Sequence, residues 1–220
     1  MRRIAIYLGP TLSVTTARAS VDAEYLPPVK RGDLACLGPE IECIGIVDGE
    51  FYQNLAVSPK EILPLLERGV RVYGASSMGA LRAAELESCG MIGVGSIFEA
   101  YRDGVLDADD EVAVAYDPAT YRATSAPLVN IRFALQKAVD QGLLETSRVD
   151  EIIKAVKGIY FPDRSYRLVT QLCPELTVFF GDSAPDQKAE DALLLLRTLA
   201  NATAAEGSFD RGRATGTGTS

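Results

Sequence analysis

Apolar positions follow two different periods over the first ninety residues of the chain. Short apolar runs at 3–8, 42–49 and 70–75 end in Gly, Pro or Asp, which is typical of buried strands in a parallel sheet. Between these runs, helical spacing occupies 11–21, 58–68 and the segment from 77 onward. Thr11 and Ser58 are the predicted N-caps of the first two helices. The alternation predicts an α/β fold with a parallel, Rossmann-like sheet in the N-terminal half.

The second half of the chain is patterned mainly for helices. An acidic loop at 107–110 precedes an alternating segment at 111–116, which predicts one further strand. Helical spacing then recurs near 125–142, 147–159, 164–173 and 186–205, and a Gly/Thr/Ser/Arg-rich tail begins at 207. We therefore expect a catalytic α/β core over 1–120, a helical region packed on it over 121–206, and a disordered tail over 207–220.

Composition narrows the possible partners and the compartment. The chain has 220 residues, 47% of them hydrophobic, and a formal net charge of −8. An acidic domain is poorly suited to hold a phosphate backbone, so we expect no nucleic-acid partner. The N-terminus lacks the features of a signal peptide, and no apolar stretch approaches the length of a membrane span. These features predict a cytoplasmic protein without a membrane partner.

Motifs for metals and nucleotides are missing from the sequence. The four cysteines form no C-x-x-C pair, and the chain contains no histidine to complete a zinc site. Buried free thiols are the expected state of these cysteines. The turn after the first strand lacks G-x-G-x-x-G, and no Walker lysine motif follows it. We therefore predict neither a metal nor a cofactor.

A strand-to-helix elbow carries the strongest chemical signal. The segment Ala75-Ser76-Ser77-Met78-Gly79 follows the third apolar run and resembles G-x-S-x-G, with Ala in the first Gly position. Small residues at these positions let a strand turn sharply into a helix and expose a nucleophile. The alternative is that the serine pair only caps the helix. The pattern alone leaves both possibilities open, with Ser77 the better nucleophile and Ser76 the better cap.

A serine nucleophile in this chain needs a base other than histidine. Lysine is the known substitute, if burial or a neighbouring cation lowers its pKa. Lys60 begins the helix that follows the second buried strand, so it lies on the predicted rim with Ser77. Lys157, near the end of a later helix, is the second candidate. Lys137 and Lys188 are interpreted as solvated helix residues.

Further candidates lie at the carboxyl ends of the predicted strands, where ligands gather in such sheets. Gly9 and Thr11 follow the first strand, and Asp48 and Glu50 follow the second. Glycine there would let a substrate approach the backbone. Arg82 and Glu85 lie on the elbow helix at a spacing that also fits a simple surface ion pair.

Six ordered motifs together resemble the TfuA family. They are Leu8-Gly9-Pro10-Thr11-Leu12, the segment 26–34, Gly45-Ile46-Val47-Asp48-Gly49, Lys60-Glu61-Ile62-Leu63, the segment 73–86, and Phe98-Glu99-Ala100-Tyr101-Arg102-Asp103-Gly104. The resemblance covers roughly the first 170 residues. By position, the serine of the family falls on Ser77 and its lysine on Lys60, with Lys157 as second choice. Ser58-Pro59 before Lys60 departs from the family pattern.

The resemblance implies a partner of YcaO enzymes in thioamidation of a peptide backbone, as in RiPP biosynthesis. TfuA-like proteins are thought to release sulfur from a thiocarboxylated carrier of the ThiS type with a Ser-Lys pair, and to help YcaO engage its precursor peptide. Substrate contacts are expected at Gly9, Thr11, Asp48, Met78, Gly79 and Arg82. Gly9, Gly49 and Gly79 are expected to leave room for the carrier tail. The alternative is a scaffold that docks YcaO and carrier without chemistry of its own.

Overall fold

Five parallel strands form the sheet at the centre of the molecule. The computed structural model describes residues 3–51, 55–181 and 184–214, and for 203–214 it describes the backbone alone. The strands lie in the order β2-β1-β3-β4-β5. Their bounds are β1 Arg3–Tyr7, β2 Glu24–Leu26, β3 Ile41–Ile46, β4 Arg71–Ala75 and β5 Ile92–Val94. The predicted parallel α/β sheet is confirmed.

Helices connect the strands and then continue alone to the end of the described chain. Their bounds are α1 Val14–Arg18, α2 Pro59–Glu67, α3 Met78–Leu86, α4 Ser96–Arg102, α5 Leu128–Asp140, α6 Thr146–Lys157, α7 Tyr166–Leu172 and α8 Gln187–Ala214. The predicted capping box is present at the start of α2, where the Ser58 hydroxyl and backbone N–H both donate to Glu61. The helical C-terminal region is likewise confirmed.

Both faces of the sheet are covered, as a parallel sheet requires. On one face, α1 and α8 pack on alternate residues of the strands, with Leu195, Leu196 and Leu199 of α8 fully buried against them. On the opposite face, α2, α3 and α4 pack on the other alternate residues. A separate apolar cluster joins α5, α6 and α7. The last helix is thus part of the sheet core as well as of the helical region.

The structure corrects two sequence predictions, a strand at 111–116 and the extent and N-cap of the first helix, and shows one strand that the sequence analysis missed. No strand occupies 111–116; Asp109–Glu111 is a short 3-10 turn, and Tyr116 forms only an isolated bridge to Ala123. The sequence pattern missed β5, a three-residue edge strand. The first helix is shorter than 11–21, and its N-cap is Ser13 rather than Thr11. The backbone of α8 is described to Ala214, residues 215–220 lie outside the described part, and the disordered tail over 207–220 stays a prediction.

The state of the four cysteines and the character of the helices test the predictions of buried thiols and of no membrane span. All four cysteines are free, but only Cys43 and Cys173 are buried, while Cys36 and Cys89 are exposed. The prediction of buried thiols is therefore wrong for two of them. In the described part of the chain, none of the helices combines the length and apolar character that crossing a membrane requires.

Candidate functional site

The site begins where the strand order reverses, between β1 and β3, the usual ligand crevice of a doubly wound sheet. Asp48 follows β3 and is 2% exposed. Its Oδ2 accepts hydrogen bonds from the backbone N–H groups of Gly9 at 2.8 Å and Thr11 at 3.1 Å. Its Oδ1 accepts the Thr11 hydroxyl at 2.6 Å. Thr11 therefore ties the loop after β1 to β3, which is why it does not cap α1.

The elbow between β4 and α3 is a tight, strained turn. Ser76 adopts φ 68°, and the Ser77 N–H donates to the Ala75 carbonyl at 2.8 Å, which makes Ser76 the centre of a γ-turn. The Ser76 hydroxyl is buried, and no hydrogen-bond partner is found for it in the described structure. Ser77 occupies the N-cap position of α3, but its side chain makes no capping hydrogen bond. Neither serine therefore caps the helix, and that alternative is not supported.

Ser77 and Lys188 meet at one backbone carbonyl, that of Val112. The Ser77 hydroxyl donates to this oxygen at 3.5 Å, and Lys188 Nζ donates to it at 2.8 Å. The separation of Oγ and Nζ therefore cannot exceed the sum of these two distances. Only 2% of Ser77 and 3% of Lys188 is exposed. The structure thus brings a serine hydroxyl and a lysine amine together in a buried site.

Burial of Lys188 opposes the charged form of its amine. Burial lowers the pKa of Lys188 below its ordinary value, because the charged form loses its hydration. The charges of Asp48 and Asp186 act in the opposite direction and raise this pKa, but the effect of burial prevails. An amine with a lowered pKa can accept a proton from a hydroxyl. Lys188 thus has the two features that the sequence analysis asked of a lysine base, namely burial and a lowered pKa.

Two ion pairs, each with one buried partner, lie on the residues just before the shared carbonyl. Glu111, whose side chain is 1% exposed, accepts Arg132 of α5 through both carboxylate oxygens at 2.8 Å. Arg164 is buried and donates to the Asp110 backbone carbonyl at 2.8 Å and to its Oδ2 at 2.6 Å. Bidentate guanidinium contacts of this kind set orientation as well as position. The Val112 carbonyl therefore keeps its position because Arg164 and Arg132 bind the two preceding residues, Asp110 and Glu111.

The lysines expected to serve as base lie elsewhere. Lys60 is exposed at the start of α2. Lys157 has 42% of its side chain exposed and pairs with Asp107 at 3.6 Å and Glu111 at 3.5 Å. No contact of Ser77 with either lysine is found within the described ranges. The structure therefore does not support the prediction of Lys60 or Lys157 as the base.

The prediction that Lys188 is a solvated helix residue is wrong. Lys188 is 3% exposed, although Asp186, Gln187 and Glu190 beside it in the chain are polar. The spacing of Lys188 relative to apolar residues of the same helix indicates a buried position instead. Lys188, Ala192, Leu195 and Leu199 recur at intervals of three or four residues, so they share the buried face of α8. Lys137, by contrast, pairs with Glu190 at the surface, as expected.

The glycines expected to make room for substrate are packed against the protein itself. A Cβ at Gly9 would lie 2.4 Å from Pro28 Cγ, and one at Gly49 would lie 2.7 Å from Met78 Cγ. At Gly79 it would lie 1.7 Å from the Ile46 carbonyl oxygen, because α3 crosses β3 closely there. Met78 is itself 1% exposed. Gly9 and Gly79 therefore shape the site through packing and not by leaving open space, whereas Gly49 also lines a pocket.

Arg82 and Glu50 have partners within the protein. Arg82 donates through Nε to the Val57 carbonyl at 2.8 Å and pairs with Glu85 at 2.6 Å, which agrees with the surface-pair alternative. Glu50 accepts the Tyr116 hydroxyl at 2.5 Å. Both Glu50 and Tyr116 line a pocket of about 300 Å³. Its other lining residues are Gly49, Phe51, Ala113, Val114, Ala115, Pro118 and Phe161.

Two lining residues of this pocket directly follow residues of the Ser77–Lys188 site in the sequence. Gly49 follows Asp48, and Ala113 follows Val112, the residue whose carbonyl receives Ser77 and Lys188. In the described residues, no group of three or more potential metal ligands is found. The site thus contains Ser77, Lys188 and the N-terminus of α3, and a mainly apolar pocket follows it in the chain.

Fold and site together define a doubly wound α/β protein with a serine elbow and a buried lysine at the carboxyl edge of its sheet. The family model for TfuA-like proteins matches residues 48–165, more than half of the chain. The chain therefore belongs to the TfuA-like family, as its motifs indicated. The matched segment contains Ser77, Lys60 and Lys157, whereas Lys188 lies outside it. A comparison with curated proteins finds no match.

Proposed function

We propose that this TfuA-like protein is a hydrolase that releases sulfur from a thiocarboxylated carrier protein of the ThiS type, with Ser77 as nucleophile and Lys188 as base. The observation that carries the proposal is the shared contact of Ser77 Oγ and Lys188 Nζ with the Val112 carbonyl. The buried position of Lys188, which lowers its pKa, supports the role of base. Family membership supports the substrate class.

The reaction runs through a covalent intermediate. The Ser77 hydroxyl turns from the carbonyl to the neutral Lys188 amine, gives up its proton to Nζ, and Oγ bonds to the acyl carbon of the thiocarboxylate. The C–S bond then breaks, and the sulfur leaves as hydrosulfide with the proton returned by Lys188. Water, deprotonated by the same amine, cleaves the Ser77 ester, and Lys188 returns that proton to Ser77 Oγ. The carboxylic acid formed then loses its proton, which converts hydrosulfide to hydrogen sulfide. The net change is thiocarboxylate plus water to carboxylate plus hydrogen sulfide.

The start of α3 supplies stabilisation for the oxyanion. The Ser77 N–H donates to Ala75, and the Gly79 N–H donates to Val47 at 3.2 Å. We assign the Met78 N–H, on the residue after the nucleophile, to the developing oxyanion, as in other serine elbows. The positive end of the helix dipole adds to this effect.

The burial of Ser77 restricts substrate access to a carrier protein with a flexible chain end. Because Ser77 is buried, the acyl group arrives on a thin chain end rather than on a folded surface. We assign the entry to the pocket whose lining residues Gly49 and Ala113 directly follow Asp48 and Val112 in the chain. The released sulfur then serves a YcaO enzyme that thioamidates a peptide backbone, and the protein also helps that enzyme engage its precursor peptide.

The test compares sulfur loss from a thiocarboxylated carrier protein with wild type and with Ser77→Ala. Intact mass of the carrier follows exchange of sulfur for oxygen, and a sulfide assay follows the product. We expect Ser77→Ala to lose nearly all activity, and Ser88→Ala, an exposed serine beyond α3, to retain it.

Two outcomes would contradict the proposal. Sulfide release by Ser77→Ala at the wild-type rate would exclude Ser77 as nucleophile. If wild type itself releases no sulfide but supports thioamidation by YcaO, the protein is a scaffold and has no hydrolase activity.

A further inference from the structure

The Lys188 amine lies in the field of two carboxylates but pairs with neither. These charges are Asp48, at the end of β3, and Asp186, just before α8. The hydrogen bond of Nζ goes to the Val112 carbonyl, and no ion pair of Lys188 is found in the part of the chain that the structure describes. An ion pair would stabilise the ammonium and remove the base. The placement of the carboxylates therefore decides whether Lys188 can accept a proton.

The side-chain amide of Asn130 contacts the start of α8 with both of its polar atoms. Asn130 lies on α5 and is 4% exposed. Its Oδ1 accepts the backbone N–H of Lys188 at 3.0 Å, and its Nδ2 donates to Asp186 Oδ1 at 2.8 Å. Exchange of the two amide atoms would place donor against donor and acceptor against carboxylate. The hydrogen-bond network therefore fixes the orientation of this amide.

Asp186 is held at the helix start by the same contact. Its Oδ1 also accepts the Ala189 N–H at 2.9 Å, as a helix cap does. The Tyr166 hydroxyl of α7 donates to the preceding carbonyl of Pro185 at 3.3 Å. Asp48, the other carboxylate, is engaged by the three donors of Gly9 and Thr11. Both carboxylates are thus bound to neutral donors.

We propose that Asn130 is a positioning residue, which holds the Asp186 carboxylate on the helix start and away from the Lys188 amine. This role rests on the proposed function, in which Lys188 is the base. Without the Asn130 amide, Asp186 loses a donor and can turn to the ammonium two residues away. The resulting ion pair would keep Lys188 protonated.

The test is a titration of Lys188 in four proteins by NMR of labelled lysine side chains. The chain has only six lysines, and Lys188→Met assigns the signal. We expect Asn130→Ala to raise the pKa of Lys188 by about 1–3 units. Asp186→Asn should lower this pKa, because it removes a negative charge. The double variant should also show a pKa at or below that of wild type, since residue 186 then carries no carboxylate and Asp48 stays bound to Gly9 and Thr11.

The matched control is Asn201→Ala on an exposed position of α8, which should leave the titration unchanged. A purely structural role predicts a different pattern. Asn130→Ala would then reduce activity without moving the Lys188 titration, and addition of Asp186→Asn would bring no recovery. Either result overturns the proposal.

Sulfide release as a function of pH, measured on the same proteins, separates this inference from the proposed function. We expect the acid limb of the rate profile to move to higher pH in Asn130→Ala and to return in the double variant. If the titration moves as expected but no protein releases sulfide, the proposed function fails and the positioning role stands. If sulfide is released but the titration does not move, only the positioning role fails.

Discussion

At the scale of single residues, two side chains occupy costly environments where the chemistry is proposed. Ser76 combines a positive φ with a buried hydroxyl for which no partner is found in the described structure. Lys188 places an amine in the core of the molecule. Such costs are common where geometry serves function rather than stability. Both therefore lead to predictions in which substitution stabilises the fold.

Ser76→Gly should raise the free energy of unfolding by about 1 kcal/mol, because glycine adopts φ 68° without strain and buries no hydroxyl. Urea denaturation measures the change. Ser88→Gly, at an exposed position, is the control and should be neutral or destabilising. A loss of stability in Ser76→Gly would show that the hydroxyl has a stabilising partner.

Lys188→Met should stabilise the protein by about 1–2 kcal/mol at pH 7. The pKa of Lys188 is lowered on folding, so the unfolded chain binds the proton more readily than the folded one. The penalty is present below the unfolded pKa and vanishes as pH rises through about 10.

Thermal unfolding at a series of pH values measures this effect, with the exposed Lys154→Met as control. The advantage of Lys188→Met should shrink as pH rises toward the unfolded value. A constant difference at all pH values would mean that packing rather than charge accounts for it.

At the scale of elements, the segment before Val112 depends on α5. Glu111 is buried, so its charge needs Arg132. The pattern of residues 111–116 resembled a strand because apolar and small residues alternate there. The segment turns instead. The ion pairs of Glu111 with Arg132 and of Asp110 with Arg164, whose partners are distant in sequence, hold it away from the sheet.

Arg132→Met should destabilise the protein by up to about 3–5 kcal/mol, because it leaves buried Glu111 with only the longer contact of Lys157 at 3.5 Å. The double variant with Glu111→Leu should recover most of this loss. Arg148→Met, which removes an exposed pair with Glu151, should cost less than about 1 kcal/mol. Urea denaturation of the three variants decides between a structural ion pair and an incidental one.

Local periodicity predicted most of the elements, and it failed where contacts distant in sequence decide the structure. Runs such as 70–75 predict strands because apolar side chains must be buried on both faces. The elbow serine was predictable from its small neighbours. The strand β5 was not, since three residues carry too little pattern. The position of Lys188 depends on how α8 crosses the sheet, which no local motif specifies, although its spacing with Leu195 and Leu199 was visible.

At the scale of the whole molecule, α8 packs the last described helix of the chain against the first strands of the sheet. Leu195, Leu196 and Leu199 cover the face of the sheet that includes Ile4 and Ile6. The same helix delivers Lys188 to the elbow formed by β4 and α3. Folding and assembly of the site are therefore coupled through one helix.

A chain that ends after Ala202 should keep the fold, because it retains Leu195, Leu196 and Leu199, which pack on the sheet. A chain that ends after Pro185 should lose the fold, since it exposes one face of the sheet. Circular dichroism and thermal unfolding measure these outcomes. Cooperative unfolding of the shorter chain would contradict the assigned role of α8.

The central claim is that Ser77 acts with Lys188. The most direct measurement is the rate of sulfide release from a thiocarboxylated carrier protein by Lys188→Met and by Lys60→Met, each compared with wild type. We expect Lys188→Met to lose about 10²–10⁴-fold in rate, as removal of a general base does, while Lys60→Met matches wild type. Activity retained in Lys188→Met and lost in Lys60→Met would contradict the account.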